Sequence, residues 1–393
     1  MIRYNYKVSD ALLEEYDKII TPIVKSKLRS LISKAPISVK ERLNNLFTDD
    51  FIESLLKCNP EKLTYYISEI YNSFPELSDL YYPAHNISSI KLTQSHLEVP
   101  ATKSKEAYYE KLRVSTAYDL LRNNPNSIFS RFLSNKLWSA VGRKESKATL
   151  KFVLKYKEGS AISSDLISNN PSLLAPDWVR DFETCFDYTK FRDTLGNDFI
   201  LDLDIDICLY CNKEEIQTII SGDSVYKADL DHFHPKSKFP FLALTLSNLI
   251  PSGEKCNQRF KGAKVMLDCS HPYLEGVGSD PLFKIEEPLT GGKLNKNNFT
   301  IYTESQFPEL DRNIELFKIE SVYNQNLQLR SWVVATTSKK DFFRSLGRNI
   351  EDELKKPDNM IYVDLSDKSH KVYAKKFKID FINQISFSDI KFS

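Results

Sequence analysis

Between Cys208 and Lys264 the chain reads CLYC, then KADLDHFHPKSKFPF, then LSNLIPSGEKCNQRFKGAK. Its oxygen and imidazole side chains are the types that metal-assisted phosphodiester hydrolysis requires. A cation must neutralise the scissile phosphate and the leaving oxygen, and a base must activate water on the opposite side. Mg²⁺ prefers oxygen donors and keeps several of its waters, so one or two protein oxygens suffice. Asp231 and His232 supply a carboxylate and an imidazole, the side chain best suited to base catalysis near neutral pH. Neighbours on a strand point to opposite faces, so a bend or bulge is expected where both serve one site. The turn formers His234 and Pro235 permit it. Asn257 lies sixteen residues beyond Phe241, the expected apolar end of a second strand. It supplies another oxygen if it opens a short helix directed back toward Asp231. The expected order is strand, loop, strand and helix around one metal.

The sequence of Asp231-His232, Asn248 in SNLIP and Asn257 in KCNQRFKG resembles the HNH endonucleases of the ββα-metal fold. The likeness spans CxxC, DLDHFHP, NLIP, KCN and the trailing Lys261-Gly262, in order. It implies that His232 is the general base, that Asp231 and Asn257 hold Mg²⁺ or Mn²⁺, and that Asn248 braces the loop opposite the base. HPYLEG (His271 to Gly276) and NIELFKIESVYN (Asn313 to Asn324) also resemble the flank of such nucleases in bacterial antiphage defence, including the Septu type. This implies an effector that acts with an ATPase or sensor subunit. It also implies DNA ahead of RNA, transfer RNA included, as substrate. One active site would nick one strand, leaving a 5′-phosphate and a 3′-hydroxyl.

Many HNH domains carry two CxxC pairs that hold a structural zinc, which staples a fold with little core. Cys208-x-x-Cys211 is present, but the second pair reads Gly253-x-x-Cys256. Three thiolates remain where a closed tetrahedral site takes four donors. Either Cys269 or His271 completes the site, or zinc is lost and packing replaces it.

Lys236, Lys238, Lys255, Arg259, Lys261 and Lys264 face a single acid, Glu254, between positions 236 and 264, within a protein of net charge +1. Lys236, Lys255, Arg259, Lys261 and Lys264 are therefore expected to grip phosphates, giving salt-sensitive affinity with little sequence preference. His234 is a loop residue or a phosphate contact, and Asp229 a solvated or supporting carboxylate. Cys58 and Cys185 read as ordinary buried thiols. His85, His96 and His370 have no neighbouring ligand types.

The elements that must position these residues are set in 393 residues, 41% hydrophobic and 27% charged. That composition supports two or three folded domains and argues against long disorder. Six cysteines are too few for a disulfide scaffold, no apolar run suits a membrane span, and MIRYNYKVSD is too polar for a signal peptide. A cytoplasmic protein is expected. Eight of the eleven glycines fall between 196 and 292, so the chain changes character there. The expectation is an α+β protein: a helical docking region at 1–195, a small nuclease domain at 196–285, and a mixed extension at 286–393. Helices are expected around 12–20, 59–71, 105–122, 127–141 and 311–345. A loop is expected from Pro83 to Lys105, a turn at Gly291-Gly292, and strands at 299–303 and 371–383. Two other readings fit the same residues: an adaptor module whose nuclease has decayed, and a standalone nuclease that reads a DNA site through its arms.

Overall fold

A computed structural model describes residues 2–386, except 217, 222–223, 227, 279, 288–292, 349–351, 354–355, 357–362 and 364–367. The fold is α+β and rich in helix. The described strands pair as three antiparallel ladders: β1 (Ile219–Ser221) with β2 (Ser224–Tyr226), β3 (Asp229–His232) with β4 (Leu249–Ser252), and β5 (Phe283–Glu286) with β6 (Thr300–Thr303). The chain divides into two units instead of three successive blocks. One comprises Met1–Tyr16, Phe191–Phe233 and Ser247–Ser393, and the other Asp17–Lys190 and His234–Leu246. The expected turn at Gly291-Gly292 lies outside the described residues.

In the second unit the expected helices form, including Leu63–Ser73, Glu106–Asn123 and Ile128–Ser139. Leu63, Ile67, Ile70 and Tyr71 are buried along one helix, as their spacing requires. The stretch from Pro83 to Lys105 is not the expected loop. It contains helices Ala84–Ile87 and Gln94–Glu98, and Ile87, Ile90, Leu92 and Leu97 enter the core. Elements this short carry too few residues for a helical period to show. The buried carboxylate of Asp79 fastens the start of helix Ile128–Ser139. It accepts from Ser127 Oγ at 2.6 Å, Asn86 Nδ2 at 2.7 Å and the Ile128 N–H at 2.8 Å. Phe241, expected to end a strand, sits in the helical turn Pro240–Leu242, its ring edge-on to Tyr71 at 5.2 Å.

In the first unit the N-terminal residues fold with the cysteine-rich stretch. The Ile2 N–H donates to Leu209 O at 2.8 Å, and the Tyr4 N–H to Pro272 O at 2.9 Å. Gly276 makes this approach possible, because a Cβ there would lie 2.5 Å from the Arg3 backbone nitrogen. The strand expected at 299–303 appears as β6, and helices Pro308–Leu316, Ile319–Asn324 and Leu327–Ser345 cover the expected helical region. The expected strand at 371–383 is instead the helix Lys375–Ser386. Phe377, Phe381 and Ile385 are buried at helical spacing, and Ile379, Lys376 and Asp380 are buried as well. A helix covered on most sides lacks a polar face, so its apolar residues read as alternation.

The start of that C-terminal helix and the residues before it hold the turn containing Cys208 and Cys211. Asn212, with φ of +53°, donates from Nδ2 to Ser369 O at 2.7 Å and accepts at Oδ1 from the Lys376 N–H at 3.2 Å. Its carbonyl also accepts from the Ala374 N–H at 2.8 Å. Tyr323 Oη donates to Cys211 O at 2.8 Å, and Phe317 stacks on Tyr210 at 4.3 Å. Asn212→Ala removes two side-chain hydrogen bonds and puts a Cβ residue without local hydrogen bonding in the left-handed region. We expect it to destabilise the protein by about 2–4 kcal/mol in urea unfolding, with Asn212→Gly less harmful than Asn212→Ala. Equal losses in the two variants would remove the backbone part of this explanation.

Candidate metal centre

Strand β3 pairs with β4 in unbroken register, Asp229 opposite Ser252 and His232 opposite Leu249. The bend or bulge expected at Asp231-His232 is absent from this ladder. Asp229 and Asp231 therefore share one face of the strand, with Leu230 and His232 on the other. The ladder is prolonged by the Phe233 N–H, which donates to Asn248 O at 2.8 Å. Asn248 is fully buried at the entrance to β4. Tyr273 Oη donates to Leu249 O at 2.7 Å, which gives the HPYLEG segment a supporting role beneath the hairpin.

The helix that follows β4, Lys255–Lys261, is a π-helix, and the Gly262 N–H closes on Asn257 O at 2.7 Å. Such wide turns are rare and occur often at functional sites. Gly262 ends it at φ +52°, a conformation that favours glycine. From this helix Asn257 Nδ2 donates to Asp229 Oδ2 at 3.1 Å, and Gln258 Nε2 to the same oxygen at 2.9 Å. Lys261 Nζ donates to Asp231 Oδ1 at 2.9 Å and to His232 O at 2.7 Å. Tyr210 Oη donates to Asp231 Oδ2 at 2.6 Å. Burial pushes the Asp231 carboxyl above its ordinary range, although Lys261 and Tyr210 pull it the other way.

These contacts revise the expected roles. Lys261 is 2% exposed and neutralises Asp231, so it is not a surface cation available to phosphate. Lys255, Arg259 and Lys264 are exposed, and Lys264 Nζ reaches back to Phe260 O at 2.8 Å. Lys236 belongs to the second unit, over the Tyr188 ring at 5.1 Å, and His234 is buried there beside Phe239. Asn257 meets Asp229, a carboxylate to which the sequence assigned only a supporting role. Carboxylate and amide oxygens are the donors Mg²⁺ takes, and Asn257 is brought to Asp229 through its Nδ2. Lys261 occupies one lone-pair direction of Asp231 Oδ1 and Tyr210 one of Oδ2, of about four that a carboxylate offers.

A second cluster lies at the start of the same helix. The thiols of Cys208, Cys211 and Cys256 are buried, with their sulfurs within 4.8 Å of one another. Hydrogen bonds from Cys208 and Cys256 pull the Cys211 thiol well below its usual range, whereas burial pushes Cys208 up. The Glu214 N–H donates to Cys211 Sγ at 3.4 Å. Soft, convergent thiolates of this kind select zinc or a similar ion. Neither fourth donor expected from sequence joins them. Cys269 is half-buried near Asp268 and Arg312, and burial pushes its thiol up to about 11. His271 Nδ1 accepts from the Tyr273 N–H at 3.1 Å, and its ring lies against Phe233 at 4.2 Å. Cys58 and Cys185 are buried thiols, as expected.

No family model, curated protein or solved structure matches the chain. No helix among the described residues is long and apolar enough to cross a membrane.

Lys261→Met would leave Asp231 charged and buried without its partner. We expect a loss of about 3–5 kcal/mol in urea unfolding, most of it recovered in Lys261→Met/Asp231→Asn. A single variant as stable as the parent would show that this pair does not hold the helix to β3.

Proposed function

We propose that the chain is an HNH-type endonuclease that hydrolyses nucleic-acid phosphodiester bonds with Mg²⁺ or Mn²⁺. The observation that supports this most is the hairpin of β3 and β4, followed directly by a helix that turns Asn257 and Lys261 onto the Asp229–Asp231 face. Asp231 and Asn257, with Asp229 beside them, would hold the cation. When bound, it supplies neutralisation of the scissile phosphate and of the leaving oxygen. The register of β3 puts His232 on the other face from Asp231. The proposed base, at the last position of the strand, would have to reach round the strand end to accept a proton from water as the water oxygen attacks phosphorus. The bond from phosphorus to the 3′ oxygen breaks, and that oxygen takes a proton from solvent, leaving 5′-phosphate and 3′-hydroxyl ends. Asn248 holds the loop across from β3, and the exposed Lys255, Arg259 and Lys264 attract the phosphate backbone.

We take DNA as the first substrate and nicking as the event, with RNA as the alternative substrate of the same site. The setting we propose is bacterial antiphage defence, in which an ATPase or sensor subunit triggers the cut. It rests on the sequence resemblance in HPYLEG and NIELFKIESVYN. A second reading, an adaptor whose nuclease has decayed, draws support from the buried Lys261–Asp231 pair, which already satisfies the charge a metal would need.

A supercoiled-plasmid assay separates the two. With Mg²⁺ or Mn²⁺ we expect open circles, no product in EDTA, and a rate about 10²–10⁴ lower in His232→Ala. Structured RNA run in parallel reports the alternative substrate. Intact plasmid and intact RNA from wild type, alone and with its partner subunits, would overturn the nuclease and favour the adaptor.

A further inference from the structure

In the second unit, the stretch from Ile128 to Glu158 holds the helices Ile128–Ser139 and Gly142–Lys157. It carries eight basic residues and two acids, a net charge of +6 within a protein of net charge +1. The rest of the chain is therefore net acidic. Such a concentration of one sign in one helix pair is the footprint a polyanion requires.

Three of these cations serve the fold. Arg143 Nη1 lies 3.9 Å from Glu106 Oε2. Lys147 Nζ donates to Val99 O at 3.0 Å and lies over the Tyr109 ring at 5.7 Å. Lys157 Nζ donates to Leu92 O at 3.0 Å. Lys144, Lys151 and Lys155 do otherwise: all three are exposed, and none forms an ion pair among the described residues. At 3.6 residues per turn, Lys144, Ala148, Lys151 and Lys155 stand within an arc of about 60° and form a ridge about 16 Å long. Lys136 flanks the ridge from the neighbouring helix, its Nζ 5.2 Å from the Phe152 ring centre.

A solvated helix face is ordinarily laced with acids three or four residues from its lysines. No acid stands at those positions around Lys144 or Lys151, and Lys147 and Lys155 stand four residues to either side of Lys151. Like charges at that spacing work against the helix. Glu145 is engaged elsewhere, its Oε2 accepting from the Val141 N–H at 2.9 Å, and Glu158 lies past the last turn as the C-cap. The ridge itself offers one methyl group, from Ala148. A protein partner would need buried apolar anchors, and a membrane an apolar face to receive. A sugar-phosphate backbone needs the charges alone.

We propose that Lys144, Lys151 and Lys155, flanked by Lys136, form a surface that holds the phosphate backbone of a nucleic acid with little sequence preference. This goes beyond the nuclease reading, because a chain that holds a backbone without cutting it has the same surface.

The test measures binding of the full chain, in EDTA, to a fluorescein-labelled DNA duplex of about 24 base pairs, by anisotropy between about 50 and 200 mM salt. Lys144→Gln/Lys151→Gln/Lys155→Gln is expected to bind about 10- to 100-fold more weakly at about 100 mM salt and to lower the slope of log affinity against log salt by about 2–3. Its far-UV circular dichroism is expected to stay that of wild type. Lys34→Gln/Lys40→Gln/Lys62→Gln removes the same charge from other exposed positions of the unit and is expected to keep the wild-type slope. Lys151→Gln alone is expected to lower the slope by about 0.9, and decides the matter should the ridge triple fail to fold. Poly-L-glutamate is expected to compete at least about tenfold more weakly than unlabelled duplex at equal charge. Equal competition would overturn the proposal in favour of an acidic protein partner. An unchanged slope in the ridge variants, an equal loss in the control triple, or no binding by wild type would overturn it outright. A chain that binds with this slope and leaves plasmid and RNA intact would retire the nuclease and keep the ridge.

Discussion

Three thiols packed within 4.8 Å of each other, far from solvent, are the constraint on which the candidate site depends. Buried thiols in contact offer one another only weak hydrogen bonds, whereas a soft cation takes all three as ligands. It also joins two segments separated in sequence by the whole hairpin, the turn at Cys208–Cys211 and the helix that starts near Cys256. Since β3 and β4 lie between those segments in the chain, closing the cluster closes the hairpin against the helix.

The consequences reach the oxygen-rich face through the same helix. Cys256 and Asn257 are adjacent, and Lys261 ends the π-helix, so fixing Cys256 fixes where the amide and the ammonium meet β3. The regular register of β3 and β4 then separates Asp231 from His232 by strand geometry. Asp231 is neutralised from one side by Lys261 and steadied from the other by Tyr210, which itself lies between the two thiols of the first turn. Thiol cluster and carboxylate face are therefore mechanically one object.

How much of this was legible in the sequence depended on the range of the interaction. Cys208-x-x-Cys211 and Cys256-Asn257 announce a turn and a helix start because their spacing is local. The strand at Asp229–His232 was legible for the same reason. The Lys261 partner was not: in a row of six basic residues nothing distinguishes the one that turns inward, and only the fold places Asp231 opposite it. Asp229 reads only as a solvated or supporting carboxylate because its partner Asn257 is far along the chain, beyond β4. Gly253 in a cysteine position has no local reason, because what a Cβ there would meet is the Glu214 carboxylate, thirty-nine residues earlier in the chain. The C-terminal helix was misread because Lys376 and Asp380 pair with each other in the interior at 2.8 Å, so that residues with polar names occupy core positions. The flanking segments became intelligible only through contacts such as Tyr323 with Cys211 and Tyr273 with Leu249.

Zinc K-edge X-ray absorption on the purified protein tests the account most directly. It predicts a first shell with at least three sulfurs at about 2.3 Å. Fewer than three sulfurs, or a protein that carries no zinc, would contradict it.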